Sequence, residues 1–203
     1  MGLLSRLLAP GIFGAELDDT GQPVALHPDE EVFVAKAAPK RQRDFALGRA
    51  CAHAALTQLE QGGSAIAMAA GGAPLWPAGI VGSITHTTGY AAALVAEARL
   101  FSGLGVDAER VGGVTQDLWP RLFDAAERDH LMGLEGESRA VVATLFFSAK
   151  EAAYKAWRVK GALAFRDIRI TPEPKGFTAA RGEMRLHGRY ARQGDLMLTA
   201  AWL

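Results

Sequence analysis

The chain has 203 residues, enough for one large domain or two of about 100 residues each. Lys plus Arg equals Asp plus Glu at 22 each, which excludes a global bias toward nucleic acid or anionic membrane. With 49% apolar residues a substantial core can form, and the single Cys51 excludes an internal disulfide framework and fits a reducing compartment.

The N-terminal MGLLSRLLAP is apolar but too short to span a membrane. The GIFGAELDD that follows reads as strand and turn rather than a cleavage region, so secretion is not expected. Residues 11 to 17 and 31 to 36 read as short strands. Residues 40 to 60 read as a helix, with Pro39 near its start, Gly62-Gly63 past its end and a buried stripe of Phe45, Ala52, Leu56 and Leu59. Gly71-Gly72 and Pro74 mark a turn. Residues 79 to 85 and 89 to 96 read as a strand pair around a His-Thr-Thr-Gly turn.

A second half begins near Phe101. It reads as a strand over 103 to 109, helices over about 119 to 133 and 148 to 160, and two or three closing strands around 165 to 171, 182 to 190 and 195 to 202. The layout predicts an α+β fold of two similar halves, residues 1–100 and 101–203, with a cleft between them.

Two acidic segments carry the chemistry. In GLGVDAER, Asp107 and Glu109 alternate with Val106 and Ala108, so on a strand both carboxylates share one face. Adjacent carboxylates repel, and a divalent cation removes that cost. Gly103 and Gly105 permit close approach of backbone or ligand. The bland alternative is a strand end whose charges face water.

In FSAKEAAYKAW, Ser148 and Glu151 match a capping box, and Glu151 and Lys155 are spaced for a helical ion pair. Those roles account for both residues without chemistry. Equally, Glu151 suits a metal ligand or base and Lys155 a phosphate clamp. His86, flanked by Thr85, Thr87, Thr88 and Gly89, suits anion contact or is an ordinary turn residue. The basic run Lys36, Lys40, Arg41, Arg43 and Arg49 is either a solvated face or a set of phosphate contacts.

In this order, KRQRDFALGRACAHAAL, GGAPLWPAGIVGSITHTTGYAAALVA, GLGVDAER and FSAKEAAYKAW resemble the 4′-phosphopantetheinyl transferases, most nearly the enterobactin-synthetase component D type. The resemblance runs from about residue 36 to 170. V-D-x-E followed by F-S-x-K-E-x-x-Y-K is far more specific than either part alone. Two positions depart from the family pattern: Thr85 stands where Ser is frequent, and Ala73 where some relatives carry a phosphate-binding Lys.

The resemblance implies a pseudo-dimer of two α/β halves with the active site in the cleft. It implies Mg²⁺-dependent transfer of the phosphopantetheine arm of coenzyme A to a serine of an apo acyl, peptidyl or aryl carrier protein, releasing adenosine 3′,5′-bisphosphate. Asp107, Glu109 and Glu151 would hold Mg²⁺, and Lys155 would contact the pyrophosphate. His86 would bind the 3′-phosphate beside Thr85, with Arg41, Arg43 and Arg49 as further phosphate contacts. The base is Glu151 or a metal-bound water held by Glu109. A monomer in the cytoplasm is expected, serving peptide or siderophore synthesis, with no nucleic-acid or membrane partner. A carrier-docking face is placed in residues 110 to 135, around Trp119, Arg121, Leu122, Phe123 and Arg128. The alternatives are an Mg²⁺-dependent coenzyme A or nucleotide hydrolase, or a non-catalytic coenzyme A-binding module.

Overall fold

The structure, a computed structural model, describes residues 2–157, 164–174 and 176–203. Strand β1 (Ile12–Asp18) is followed by a short helix α1 (Pro28–Glu31) in place of the strand expected at 31 to 36. The reason is local. The His27 ring accepts from the Asp29 N–H at 3.2 Å, Pro28 opens the helix, and three acidic residues fill the first turn. Turns then carry the chain to α2 (Pro39–Thr57). A small hairpin, β2 (Ala67–Met68) and β3 (Pro74–Leu75), precedes the long pair β4 (Ile80–Thr87) and β5 (Tyr90–Glu97). Gly89 closes that pair at φ +78°, a conformation glycine adopts without strain.

The second half starts with β6 (Leu104–Arg110). The single helix expected over 119 to 133 is two, α3 (Trp119–Leu122) and α4 (Ala125–Met132). Phe123 is extended between them, and Asp124 caps α4 through a full capping box with Glu127. Helix α5 (Gly136–Trp157) begins twelve residues before the expected 148; the expected end at 160 lies outside the described residues. Strands β7 (Arg169–Glu173), β8 (Gly176–Arg181), β9 (Met184–Gln193) and β10 (Leu196–Trp202) close the chain. Residues 165–167 form a 3₁₀ turn rather than strand, and β8 was not expected.

The strands form an antiparallel sheet β1-β5-β4 and an antiparallel sheet β6-β10-β9-β8-β7, besides the small β2-β3 hairpin. Alternation along β5 explains the layering. Ala91, Ala93 and Val95 meet Cys51, Ala52 and Leu56 of α2. Ala92, Leu94 and Ala96 meet Leu104, Val106 and Leu198 of the second sheet. The far face of that sheet packs on α5 through Ala149, Ala152 and Ala156. The order is therefore helix, sheet, sheet, helix, with each half an antiparallel sheet under one long helix. The main sheet of the second half has two more strands than that of the first, and the second half adds the α3–α4 segment. Among the described residues no helix is long and apolar enough to cross a membrane.

Candidate functional site

The two halves meet where β4 lies against β6. Ser83 Oγ accepts from the Val106 N–H and Thr85 Oγ1 from the Ala108 N–H, both at 3.0 Å. Strand alternation then divides the tip of β4 between two neighbours. Thr85 faces the acidic strand, where its hydroxyl lies 3.5 Å from Asp107 Oδ1. His86, next in sequence, faces α2, with Nε2 3.3 Å from Arg41 and Nδ1 3.8 Å from Asp44.

On β6, Asp107 and Glu109 share one face, as the D-x-E spacing predicts, and with Gly105 that face is turned to α5. Lys155 Nζ donates to Asp107 Oδ1 at 2.7 Å and to the Val106 carbonyl at 3.0 Å. Asp107 is 5% exposed, and its Oδ2 is buried with no hydrogen-bond partner. Burial, then Asp107 and Glu151, push the Glu109 carboxyl up to about 7 against the pull of Lys155. Glu151 is also pushed up by burial and by Asp107, with Lys155 opposing. The three carboxylates and the lysine are thus electrostatically one cluster.

Ser148 does not cap a helix. It sits twelve residues into α5, buried, with Oγ 2.9 Å from Thr199 Oγ1, and Thr199 also donates to the Ser148 carbonyl at 2.9 Å. Thr199 is the cross-strand neighbour of Asp107, so this tie holds the helix over the acidic strand. The capping-box account of Glu151 fails with it, because Glu151 is in the helix interior, where its backbone bonds are already made.

Among the described residues no group of three or more His, Cys, Asp or Glu side chains is arranged to enclose a metal ion. The donor chemistry nonetheless fits a hard cation: an orphaned carboxylate oxygen, with two more carboxyls pushed toward protonation beside it. Mg²⁺ is commonly held by one or two carboxylates, with waters and substrate phosphates completing its octahedron. An incomplete protein cage is what such a site requires.

On the other side of β4, Arg41, Asp44, Phe45, Arg49, Ile84 and His86 line an open cavity of about 140 Å³, with Gly72 and Pro74 of the small hairpin also in its wall. Arg49 is 3% exposed, stacks on Phe45 at 4.8 Å, and leaves Nε and one terminal nitrogen buried without partners. Buried donors left unpaired are costly, and an anion in the cavity would satisfy them. Burial lowers the His86 pKa below its ordinary value; Asp44 opposes this, while Arg41, Lys155 and Lys40 add to it.

The basic run separates in space. Arg41 and Arg49 line the cavity. Arg43 instead binds Asp19 and the Gln22 carbonyl, fastening the loop after β1 to α2, so its expected role as a phosphate contact is not supported by its position. Lys40 pairs with Asp44 at 2.7 Å. Trp119 and Phe123, placed on a docking face from sequence, are core residues at 5% and 1% exposure. Sequence reading also missed Asp44, which stands one helical turn from Arg41, and Lys150. Lys150 is fully buried and donates to Glu127 at 2.5 Å, to the Leu122 carbonyl at 2.8 Å and to the Phe165 carbonyl at 3.2 Å.

Comparison with known proteins supplies a family. The model for the 4′-phosphopantetheinyl transferase N-terminal domain matches residues 29–96, and that for the 4′-phosphopantetheinyl transferase superfamily matches residues 103–199. A relative from Nocardia iowensis, the 4′-phosphopantetheinyl transferase Npt, is 37% identical over 195 residues, covering 95% of this chain and 87% of its own. Enterobactin synthase component D of Salmonella typhi is 36% identical over 101 residues, 48% of this chain and 41% of its own. A solved holo-(acyl-carrier-protein) synthase from Bacillus anthracis str. Ames, in complex with CoA (3′,5′-ADP), is 22% identical with a TM-score of 0.45, covering 51% of this chain and 96% of its own.

Proposed function

The chain belongs to the 4′-phosphopantetheinyl transferase family, and from that premise we propose that it moves the phosphopantetheine arm of coenzyme A onto a serine of an apo carrier protein, releasing adenosine 3′,5′-bisphosphate. The observation that carries the reading is the pairing of sites on one strand end. Thr85 turns toward the Asp107–Glu109–Glu151–Lys155 cluster while His86 turns into the Arg41–Arg49 cavity. A substrate with a pyrophosphate at one point and a 3′-phosphate at another spans two such sites.

In this reading the cavity beside His86 holds the 3′-phosphate, with Arg49 supplying its unpaired donors and Arg41 a further cation. Asp107, Glu109 and Glu151 would hold Mg²⁺, which when bound supplies neutralising charge to the pyrophosphate. Lys155, anchored on Asp107, adds positive charge where the leaving phosphate develops negative charge. Glu151 is the proposed base for the carrier serine. Acting in the cytoplasm as a monomer, the enzyme would serve peptide or siderophore synthesis.

The test is a mass measurement on an apo carrier protein incubated with coenzyme A, Mg²⁺ and enzyme. The carrier is expected to gain the arm with wild type and to remain apo with Glu151→Gln at an unchanged melting temperature. Free phosphopantetheine without carrier modification would mean hydrolysis, and no reaction would mean binding alone. An active Gln variant would remove Glu151 from the chemistry.

A further inference from the structure

The charge state of His86 in the free protein is written in its hydrogen bonds. Arg41 lies 3.3 Å from His86 Nε2, and a guanidinium has only donors to offer. Nε2 is therefore the acceptor, the ring is neutral, and its single proton is on Nδ1. Nδ1 faces Asp44 Oδ2 at 3.8 Å, too far for a hydrogen bond. Asp44 is held there by Lys40 at 2.7 Å and is mostly buried, with its side chain 14% exposed.

The charged groups acting on the ring are Asp44, Arg41 and Lys40 of α2 and Lys155 of α5. Three are cationic, and Asp44 is the one anion among them. A neutral ring with its lone pair turned to the cavity is the wrong partner for a phosphate. Lone pair would meet oxygen, and the phosphate would displace Nε2 as the acceptor for Arg41.

We propose that a phosphate monoester entering this cavity is bound together with one proton, taken from solvent onto His86 Nε2, and that Asp44 is the positioning residue that makes the uptake possible. This rests on the reading that His86 faces the 3′-phosphate. The bound dianion adds negative charge on the Nε2 side of the ring, where the free pocket presents Arg41. Asp44 flanks the ring on its Nδ1 side, so the imidazolium lies between two anions. Partial burial and the cations Arg41, Lys155 and Lys40, which lower the ring's pKa in the free protein against Asp44, support the same account. The sign follows: the ligand raises the His86 pKa, so affinity is greatest below the free-state value and falls as pH rises through the bound-state value. The pocket would thereby prefer a terminal phosphate over a hydroxyl at the 3′ position by charge created on binding.

The experiment is titration calorimetry of adenosine 3′,5′-bisphosphate and of adenosine 5′-phosphate at pH 7.5, in two buffers of different ionisation enthalpy. The phosphate's own titration is common to wild type and His86→Gln, so their difference isolates the ring. Wild type is expected to take up close to one proton more than His86→Gln with the bisphosphate, and no more with the monophosphate. Asp44→Asn should lose at least half of that uptake and about 10-fold in affinity for the bisphosphate alone, while Asp44→Glu retains both. Equal proton counts in wild type and His86→Gln, with the bisphosphate still discriminated, would overturn the proton uptake and leave the phosphate contact standing. Equal affinity losses for both ligands in His86→Gln would overturn the phosphate contact itself. Unchanged uptake in Asp44→Asn would remove Asp44 from the account.

Discussion

A Cβ placed on Gly105 would lie 1.8 Å from the carbonyl oxygen of Ala152, so β6 and α5 touch backbone to backbone. One turn along, a Cβ on Gly103 would lie 2.0 Å from the Ala156 carbonyl. These two glycines let the helix bearing Glu151 and Lys155 settle directly on the strand bearing Asp107 and Glu109. Without that contact Lys155 could not reach Asp107 at 2.7 Å.

Gly105→Ala must therefore push the helix off the strand, since the obstacle is backbone and cannot rotate away. Overpacking of this kind typically costs about 1–3 kcal/mol. A urea midpoint is expected to fall accordingly, with arm transfer by the remaining folded protein reduced at least about 100-fold, because a misplacement of about 1 Å at a reacting group has that effect. Full activity in the alanine variant would show that the close approach is not needed to assemble the cluster.

Glu109 sets a pH dependence on the metal-free protein. Its folded-state value, about 7, lies above its ordinary 4.5. The stability associated with it is fully present below 4.5 and is lost as pH rises toward 7. In EDTA, Glu109→Gln should match wild type at pH 4 and exceed it at pH 8, by about 1 kcal/mol once solvent screening of this partly exposed group is allowed for. Urea denaturation at the two pH values measures this. A Gln variant less stable than wild type at pH 8 would show that the charged carboxylate is compensated within the protein.

Lys150 stands beside Glu151 in sequence but does structural work. Its ammonium is saturated by Glu127 and two carbonyls, joining α3, α4 and the 165–167 turn to α5. Removing one partner of a buried pair costs about 3–5 kcal/mol. Lys150→Ala should lower the unfolding free energy from urea denaturation by that amount while the folded fraction still binds adenosine 3′,5′-bisphosphate with wild-type affinity. Lost affinity in a folded variant would place Lys150 in the binding site.

How much was legible depended on whether the signal was local. The strand pair around Gly89, the helix over α2 and the strand carrying Asp107 and Glu109 all follow from periodicity and turn residues. The strand expected at 31 to 36 failed because Val32 to Ala35 carries β-forming residues, while the start signal, His27-Pro28 with acidic residues after it, lies just before it. The start of α5 was misplaced because Ser148 and Glu151 mimic a capping box; the true helix runs back through an apolar stretch to Gly136.

By itself, then, the sequence determined which chemical groups are present and how each is oriented on its own element. Asp107 and Glu109 share a face, and Glu151 and Lys155 are one turn apart. Those relations are set by the geometry of strand and helix. Only the tertiary structure decided which elements meet. It laid α5 on β6 through two glycines, turned Arg43 to Asp19 and Arg49 into the cavity, buried Trp119 and Phe123, and brought Asp44 to His86. Such pairings join residues far apart in sequence, and they follow from packing and the compensation of buried charge, which no local pattern encodes.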